Sequence, residues 1–211
     1  MLNNIKQIFE DTHPYDDPTD KVIKRLPKEI VDNYINKTKL RHAGVLFGLQ
    51  DNGKNNPDLY LTKRSKQLKN HSGEISLPGG TFDQDHDKNI IDTALRESEE
   101  EIGLQSEHAE ILGFIDPQIS LGSGFIVTPL VARIDPSFTP KINTYEVEKL
   151  FKVPLEFFLD QDNLSGETKT AEEIGAKAIL GMTSSGYTAF KVSSYRPNCE
   201  IYMFSDRNHM L

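Results

Sequence analysis

The alternation of apolar and polar residues divides the chain into short strands around one strong helix. Strands are predicted for residues 43–49, 59–62, 74–77, 109–114, 125–134, 187–192 and 200–204. Helices are predicted around residues 27–35, 89–102 and 145–151, and a long polar excursion over 160–186. Because helices and strands follow one another without regular βαβ alternation, the pattern predicts an α+β fold with helices packed against a mixed sheet.

The helix over 89–102 has the clearest pattern in the chain. One stripe at helical spacing consists of Ile91, Ala94, Leu95, Ser98 and Ile102. Gly103 follows it, at the position where a glycine commonly ends a helix. This stripe fixes which face of the helix is packed, and so where its charged residues point.

Three carboxylates of this helix converge beside the packed face. With a turn of about 100° per residue, Glu100 and Glu101 lie within about 60° of Glu97. Such like charges repel one another unless something compensates them, and Mg²⁺ or Mn²⁺ suits carboxylate oxygens. Arg96 can pair with Glu100 one turn further on. A plain solvated acidic helix face is the alternative that this octet alone leaves open.

Composition narrows the classes of function. Asp and Glu number 32 against 24 Lys and Arg, a net charge of −8, which argues against wrapping a duplex nucleic acid. The single cysteine, Cys199, excludes an internal disulfide framework and a cysteine-based zinc cluster. The opening residues lack a secretory pattern and no apolar run reaches 18 residues. We therefore expect a cytoplasmic protein that binds neither nucleic acid nor membrane.

The acidic octet resembles the core motif of a known family. Residues 96–104 match the REUxEExGU core of the Nudix hydrolases, with Ser98 at a position that is usually small or aliphatic and Leu104 at the closing one. Gly80 lies upstream, where it fits the family pattern if the intervening loop is stretched. The resemblance implies a Nudix-type α/β/α sandwich with a mixed sheet. It also implies hydrolysis of a nucleoside diphosphate linked to another group, with Mg²⁺ or Mn²⁺ held by Glu97, Glu100 and Glu101. The catalytic candidates are Arg96, Glu97 and Glu100, with Glu97 the first choice for accepting the proton of the attacking water.

The loop before the helix departs from the family pattern. The family places an acid eight residues before the arginine, where this chain has Lys88. If the loop 81–88 is stretched, Asp87 or Asp85 is expected to take the place of that acid.

Residues 61–80 carry a second motif. Four cations lie close together in an otherwise acidic chain, Lys63, Arg64, Lys66 and Lys69. They are consistent with an anion site that attracts substrate, or with an ordinary basic loop. Their order, LTKRS followed by a leucine, HSGE and LPGG, resembles the signature of the coenzyme A diphosphatase branch of the Nudix family.

That branch implies a substrate and a set of residues that bind it. Coenzyme A or acyl-CoA would be cleaved to 3′,5′-ADP and the 4′-phosphopantetheine portion. The residues carried over as candidates for substrate phosphates are Arg64, Ser65, Lys69 and His71. Two alternatives remain open: a Nudix hydrolase of another nucleotide such as ADP-ribose, and a Nudix nucleotide sensor that does not hydrolyse.

The chain is predicted to have three parts. Residues 1–38 form an N-terminal extension, 39–205 the Nudix hydrolase domain, and 206–211 a short C-terminal tail. The sequence leaves the oligomeric state open.

Overall fold

The computed structural model describes residues 2–26, 28–33, 35–37, 39–54, 56–68, 72–120, 123–159, 179–182 and 201–204. Its helices are α1 (Leu2–Phe9), α2 (Thr19–Ile23), α3 (Lys28–Asn33), α4 (Ile90–Ile102) and α5 (Leu155–Leu159). Its strands are β1 (Arg41–Gln50), β2 (Asp58–Arg64), β3 (Ile75–Ser76), β4 (Gly79–Thr81), β5 (Ala109–Phe114), β6 (Gln118–Ser120), β7 (Phe125–Ile134), β8 (Val147–Pro154), β9 (Ile179–Met182) and β10 (Ile201–Phe204). No helix in these ranges is long and apolar enough to cross a bilayer.

A mixed sheet of eight strands forms the centre of the fold. Its main order is β3-β2-β1-β7-β5, with β4 beside β1, β6 beside β7 and β8 beside β2. Strands β1 and β7 run parallel from the pair Arg41–Phe125 to the pair Gln50–Ile134, whereas β1 pairs antiparallel with β2 and β4. Separately, β9 and β10 form a parallel pair. The sheet confirms the predicted α+β class.

Both faces of the sheet bury apolar side chains, because successive strand residues point to opposite faces. The apolar cluster between the sheet and α4 consists of Leu46, Tyr60, Ala94, Ile102, Leu104, Phe114, Leu130, Ala132, Ile134 and Phe138. The cluster between the other face of the sheet and helices α1 and α5 consists of Leu2, Ile5, Leu49, Leu59, Leu61, Leu77, Leu112, Val131 and Phe158. Helices therefore lie on both sides of the sheet, and the α/β/α sandwich is confirmed.

Helix α4 begins and ends at well-defined caps. The Asn89 side-chain oxygen accepts hydrogen bonds from the backbone N–H groups of Ile91 and Asp92, at 2.9 and 3.1 Å. At the other end, Gly103 has a φ of 72°, the left-handed conformation that favours glycine. The predicted bounds thus agree with the structure to within one residue, so the predicted directions of its acids apply.

The predicted helix at 145–151 is wrong. Strand β8 occupies 147–154 and pairs antiparallel along β2, from Pro154 opposite Asp58 to Val147 opposite Arg64. The spacing of apolar residues in so short a segment fits either element, and pairing with a neighbouring strand decides between them.

Two other segments also differ from the prediction. Residues 79–81, for which no strand was predicted, form β4 and pair with 43–45 of β1. Strand β9 lies inside the stretch expected to be a polar excursion. The predicted strand at 187–192 lies outside the described residues.

The N-terminal extension contributes to the core. Leu2 and Ile5 of α1 are buried in the apolar cluster opposite α4. The Thr12 hydroxyl accepts a hydrogen bond from the Phe114 backbone N–H at 2.7 Å and donates to the Phe9 carbonyl at 2.6 Å. The extension is thereby attached to β5, while the boundaries at 38 and 205 stay predictions.

Candidate active site

Glu101 is buried beneath the glycines of β4. Its side chain is 2% exposed. The backbone N–H of Gly79 donates to its Oε2 atom at 3.2 Å, and Nη1 of Arg64 lies 3.5 Å from Oε1. Burial raises the pKa of Glu101 from 4.5 to about 7, although Gly79 and Arg64 both oppose that shift. This carboxylate is therefore only partly compensated by its protein partners.

Glu97 lies directly against Gly80. A Cβ atom at position 80 would come within 2.2 Å of Oε2 of Glu97, so only glycine leaves room for this carboxylate. Burial raises the pKa of Glu97, with Arg96 opposing the shift. The glycine pair of β4 thus serves two acids, Gly79 by donating to Glu101 and Gly80 by making space for Glu97.

Arg96 holds the acids of α4 in place. Its Nη1 atom donates to Oε1 of Glu97 at 2.9 Å and to Oε1 of Glu100 at 3.2 Å. The structure thus contains the expected contact between Arg96 and Glu100 and adds one with Glu97. The opposite edge of the guanidinium contacts Asp87, where Nε lies 2.8 Å from Oδ1 and Nη2 lies 3.0 Å from Oδ2.

Asp87 is the acid of the stretched loop that contacts Arg96. Its side chain is 1% exposed, and Oδ2 also accepts from the Thr93 hydroxyl and the Asp83 backbone N–H, both at 2.9 Å. The Arg96 guanidinium, followed by these other donors, lowers the pKa of Asp87 to about 2 in spite of its burial. Asp85, the other predicted substitute, is exposed on the surface of the loop.

Glu146 is an acid of the site that sequence reasoning missed. Its charge raises the pKa of both Glu97 and Glu101, which places it close to them. Its own Oε1 accepts from Nδ2 of Asn143 at 3.0 Å, and its carbonyl accepts from the Ser65 N–H at 2.8 Å. It follows α4 by some 45 positions and lies outside the motif, so only the pairing of β8 with β2 brings it here.

The donor chemistry of this group fits a hard divalent cation. Within the described ranges, no three His, Cys, Asp or Glu side chains form a ready-made metal cluster. Glu97 and Glu100 are instead directed to Arg96, and Glu101 to Gly79 and Arg64. Carboxylate oxygens are nevertheless the ligands that Mg²⁺ and Mn²⁺ prefer. Binding one ion would require some of these side chains to exchange their arginine partner for the metal.

The structure brings two of the four predicted substrate-binding residues to this place. Arg64 ends β2, and its guanidinium is directed at Glu101. Ser65 is buried, and its hydroxyl accepts a hydrogen bond from the Gln67 N–H at 3.3 Å. Lys69 and His71 lie outside the described residues.

Comparison with known proteins identifies the family. The family described as the NUDIX domain matches residues 39–165, more than half of the chain. The chain belongs to the Nudix family. A second family, described as the alpha/beta domain of pyruvate kinase, matches residues 164–211. Of that second stretch, the structure describes only β9 and β10.

Curated Nudix proteins from bacteria and plants are similar to this chain. A Photorhabdus laumondii protein named uncharacterized Nudix hydrolase NudL is 42% identical over 129 residues, which cover 61% of this chain and 64% of that protein. Nudix hydrolase 15, mitochondrial, of Arabidopsis thaliana is 37% identical over 67% of this chain and 49% of its own length. The chain thus spans about half to two thirds of the curated relatives it matches.

Solved structures give weaker likenesses. A NUDIX hydrolase from Alicyclobacillus acidocaldarius has a TM-score of 0.48 at 16% identity and covers 62% of this chain and 86% of its own. The Nudix hydrolase RenU from M. smegmatis has a TM-score of 0.47 at 20% identity and covers 57% of this chain and 74% of its own.

Proposed function

We propose that this Nudix protein is a divalent-metal-dependent diphosphatase that cleaves coenzyme A or acyl-CoA. The observation that carries the proposal is the pair of carboxylates at the β4 glycines beside Arg64, of which Glu101 is buried and Glu97 is partly buried. Acids so placed suit a cation that engages a phosphate, and Arg64 adds a positive charge at the same edge.

Different residues of the site have different roles in the reaction. Glu97, Glu100 and Glu101 would hold Mg²⁺ or Mn²⁺, which when bound polarises a phosphoanhydride and lowers the pKa of an attacking water. Arg96 orients Glu97 and Glu100 through one nitrogen. Glu97 accepts the proton of the water, a role for which its raised pKa is suited.

The bond changes in the reaction are those of a hydrolysis. The water oxygen attacks one phosphorus of the diphosphate, and the bond from that phosphorus to the bridging oxygen breaks. Each product keeps one phosphate of the former diphosphate, and the 3′-phosphate stays on the ribose, so coenzyme A gives 3′,5′-ADP and 4′-phosphopantetheine. No oxidant or second substrate is required.

The choice of coenzyme A rests on the order of residues in 61–80. In the LTKRS segment, β2 ends at Arg64, and the N–H of the following Ser65 donates to the carbonyl of Glu146. A substrate held by Arg64 would therefore lie within reach of the carboxylates. Lys69 and His71 stay in the proposal as residues that bind the same phosphates.

The test is a comparison of substrates with Mg²⁺ in excess. The kcat/KM values for coenzyme A, acetyl-CoA, ADP-ribose and NADH are measured on the full chain. We expect kcat/KM for coenzyme A or its acetyl derivative to exceed the others at least 10-fold. Brisk turnover of ADP-ribose with no cleavage of coenzyme A would overturn the proposal. Glu101→Gln should abolish turnover, whereas Glu99→Gln, on the exposed face of α4, should not.

A further inference from the structure

Arg41, the first residue of β1, is an exposed cation in a fixed orientation. The central carbon of its guanidinium lies 4.0 Å from the centroid of the Phe125 ring. Phe125 is the residue of β7 that pairs with Arg41 in the sheet. Its Nη2 atom donates to the Ser123 carbonyl at 3.3 Å, and its backbone N–H donates to the Gly124 carbonyl at 3.0 Å. Stacking on a ring holds the plane of the guanidinium and leaves its edge free for hydrogen bonds.

Arg41 differs from the other arginines of the described ranges in its ion pairing. Each of the other arginines in the described ranges pairs with a carboxylate; these are Arg25, Arg64, Arg96 and Arg133. Arg41 has no such ion pair within those ranges. In a chain with a net charge of −8, a stacked guanidinium that pairs with no acid of the described ranges is suited to bind an anion from outside.

The position of Arg41 relates it to the candidate active site. Ala43, two residues along β1, pairs with Thr81, whose carbonyl accepts a hydrogen bond from Nη2 of Arg96 at 3.4 Å. From standard strand spacings, the Cα atom of Arg41 lies about 8 Å from that of Thr81. Since Gly44 and Gly80 face α4, alternation along β1 places Arg41 on the other face of the sheet. A ligand that joins the two places therefore passes around the edge of β4.

We propose that Arg41, held by Phe125, forms a second anion site that binds the 3′-phosphate on the ribose of the substrate. This inference rests on the proposed function, in which the diphosphate lies at Glu97. Arg41 is then a specificity-determining residue. It distinguishes coenzyme A from nucleotides with the same diphosphate but no 3′-phosphate, because a guanidinium edge matches the geometry of a phosphate.

Binding of nucleotides tests this site without requiring hydrolysis. Adenosine 3′,5′-bisphosphate and AMP, which differ only by the 3′-phosphate, are titrated into the full chain by calorimetry with Mg²⁺ present. The proteins are wild type, Arg41→Ala, Arg41→Lys, and Lys54→Ala as the matched control. Lys54 is an exposed cation in the turn that follows the other end of β1. Its loss therefore changes the net charge equally, far from the proposed site.

The expected result is a ratio of dissociation constants. Wild type and Lys54→Ala should bind the bisphosphate at least 10-fold more tightly than AMP, Arg41→Ala less than 2-fold more tightly, and Arg41→Lys should lie between them. A wild type that does not discriminate, or an Arg41→Ala variant that keeps the wild-type ratio, would overturn the inference. Unchanged binding of AMP by Arg41→Ala shows that the variant is folded.

Turnover separates this inference from the proposed function. If wild type discriminates through Arg41 yet leaves coenzyme A intact, the diphosphatase proposal fails and the anion site stands. If wild type cleaves coenzyme A and dephospho-CoA with equal kcat/KM, the diphosphatase proposal stands and the anion site fails.

Discussion

Asp87 and Arg96 face each other through two parallel hydrogen bonds, 2.8 Å from Nε to Oδ1 and 3.0 Å from Nη2 to Oδ2. The remaining nitrogen of the guanidinium, Nη1, contacts both Glu97 and Glu100. Asp87 therefore fixes the orientation of an arginine that in turn fixes two acids of the site. It is a positioning residue that acts through Arg96.

Asp87→Asn should lower kcat with little change in the KM for substrate. An amide provides one acceptor where the guanidinium now has two, so Arg96 and the acids that it holds lose their alignment. We expect kcat to fall about 10- to 100-fold, since misplaced catalytic groups have effects of this size. Asp85→Asn, in the same loop but exposed, is the matched control. Equal effects of the two substitutions on kcat would contradict this role.

Asp87 should also contribute to stability in a way that depends on pH. Its pKa is lowered from 3.8 to about 2 in the folded chain, so the stabilisation is complete above about pH 4 and is lost as pH falls through 2. The shift corresponds to about 2 kcal/mol. Urea unfolding of wild type and Asp87→Asn should differ by about that amount at pH 5 and converge near pH 2. A difference that persists unchanged at pH 2 would contradict the prediction.

The role of Asp87 shows what the sequence could and could not predict in the site. The motif predicted the converging acids on α4, because helical spacing alone determines their directions. For the acid of the loop 81–88, the sequence left two candidates, Asp85 and Asp87. The length of an irregular loop does not determine which of its side chains turns inward. Glu146 carried no local signal, because its place depends on strand pairing far along the chain.

Glu101→Gln should stabilise the metal-free protein at alkaline pH while abolishing hydrolysis. Burial raises the pKa of Glu101 from 4.5 to about 7, so its ionisation opposes folding progressively as pH rises between these values. The gain should be absent at pH 4 and reach at most about 3 kcal/mol at pH 8. Denaturant unfolding in the presence of EDTA measures it, and added Mg²⁺ should then stabilise wild type more than the variant.

Glu99→Gln is the control for that experiment. Glu99 is exposed on the same helix, so its replacement should leave stability nearly constant across this pH range. If Glu101→Gln is no more stable than Glu99→Gln at pH 8, the buried carboxylate is compensated by the protein alone.

Gly80→Ala should leave the fold intact and remove activity. The new methyl group would lie 2.2 Å from Oε2 of Glu97, and that side chain must move away because the backbone of β4 cannot. We expect kcat to fall at least 100-fold with a change in melting temperature of a few degrees. Thr81→Ala is the control, because the exposed Thr81 contacts Arg96 only through its carbonyl. An active Gly80→Ala variant would show that the place of Glu97 is not essential.

Thr12→Val should destabilise the domain, although Thr12 is far from the acids of α4 in the sequence. The substitution leaves the Phe114 N–H without its partner at 2.7 Å, which corresponds to about 1–3 kcal/mol. Thr139→Val, at an exposed position, should have an effect below about 0.5 kcal/mol. Equal unfolding free energies of the two variants would indicate that the N-terminal extension is independent of the domain.

The fold was predictable where the pattern is local and not where distant contacts decide. The apolar stripe of α4 and the glycine after it predicted that helix to within one residue. The strand at β8 has apolar residues at spacings that also fit a helix, and only its pairing with β2 decides the matter. The contribution of Leu2 and Ile5 to the core was missed, because the apolar spacing of an eight-residue segment does not reveal which surface it covers.

Mass analysis of the products from coenzyme A shows whether this protein is a coenzyme A diphosphatase. The full chain is incubated with coenzyme A and Mg²⁺, and the nucleotide and pantetheine products are separated and weighed. We expect 3′,5′-ADP and 4′-phosphopantetheine in equal amounts, formed by wild type and not by Glu101→Gln. Coenzyme A recovered intact, under conditions in which ADP-ribose is consumed, would contradict it.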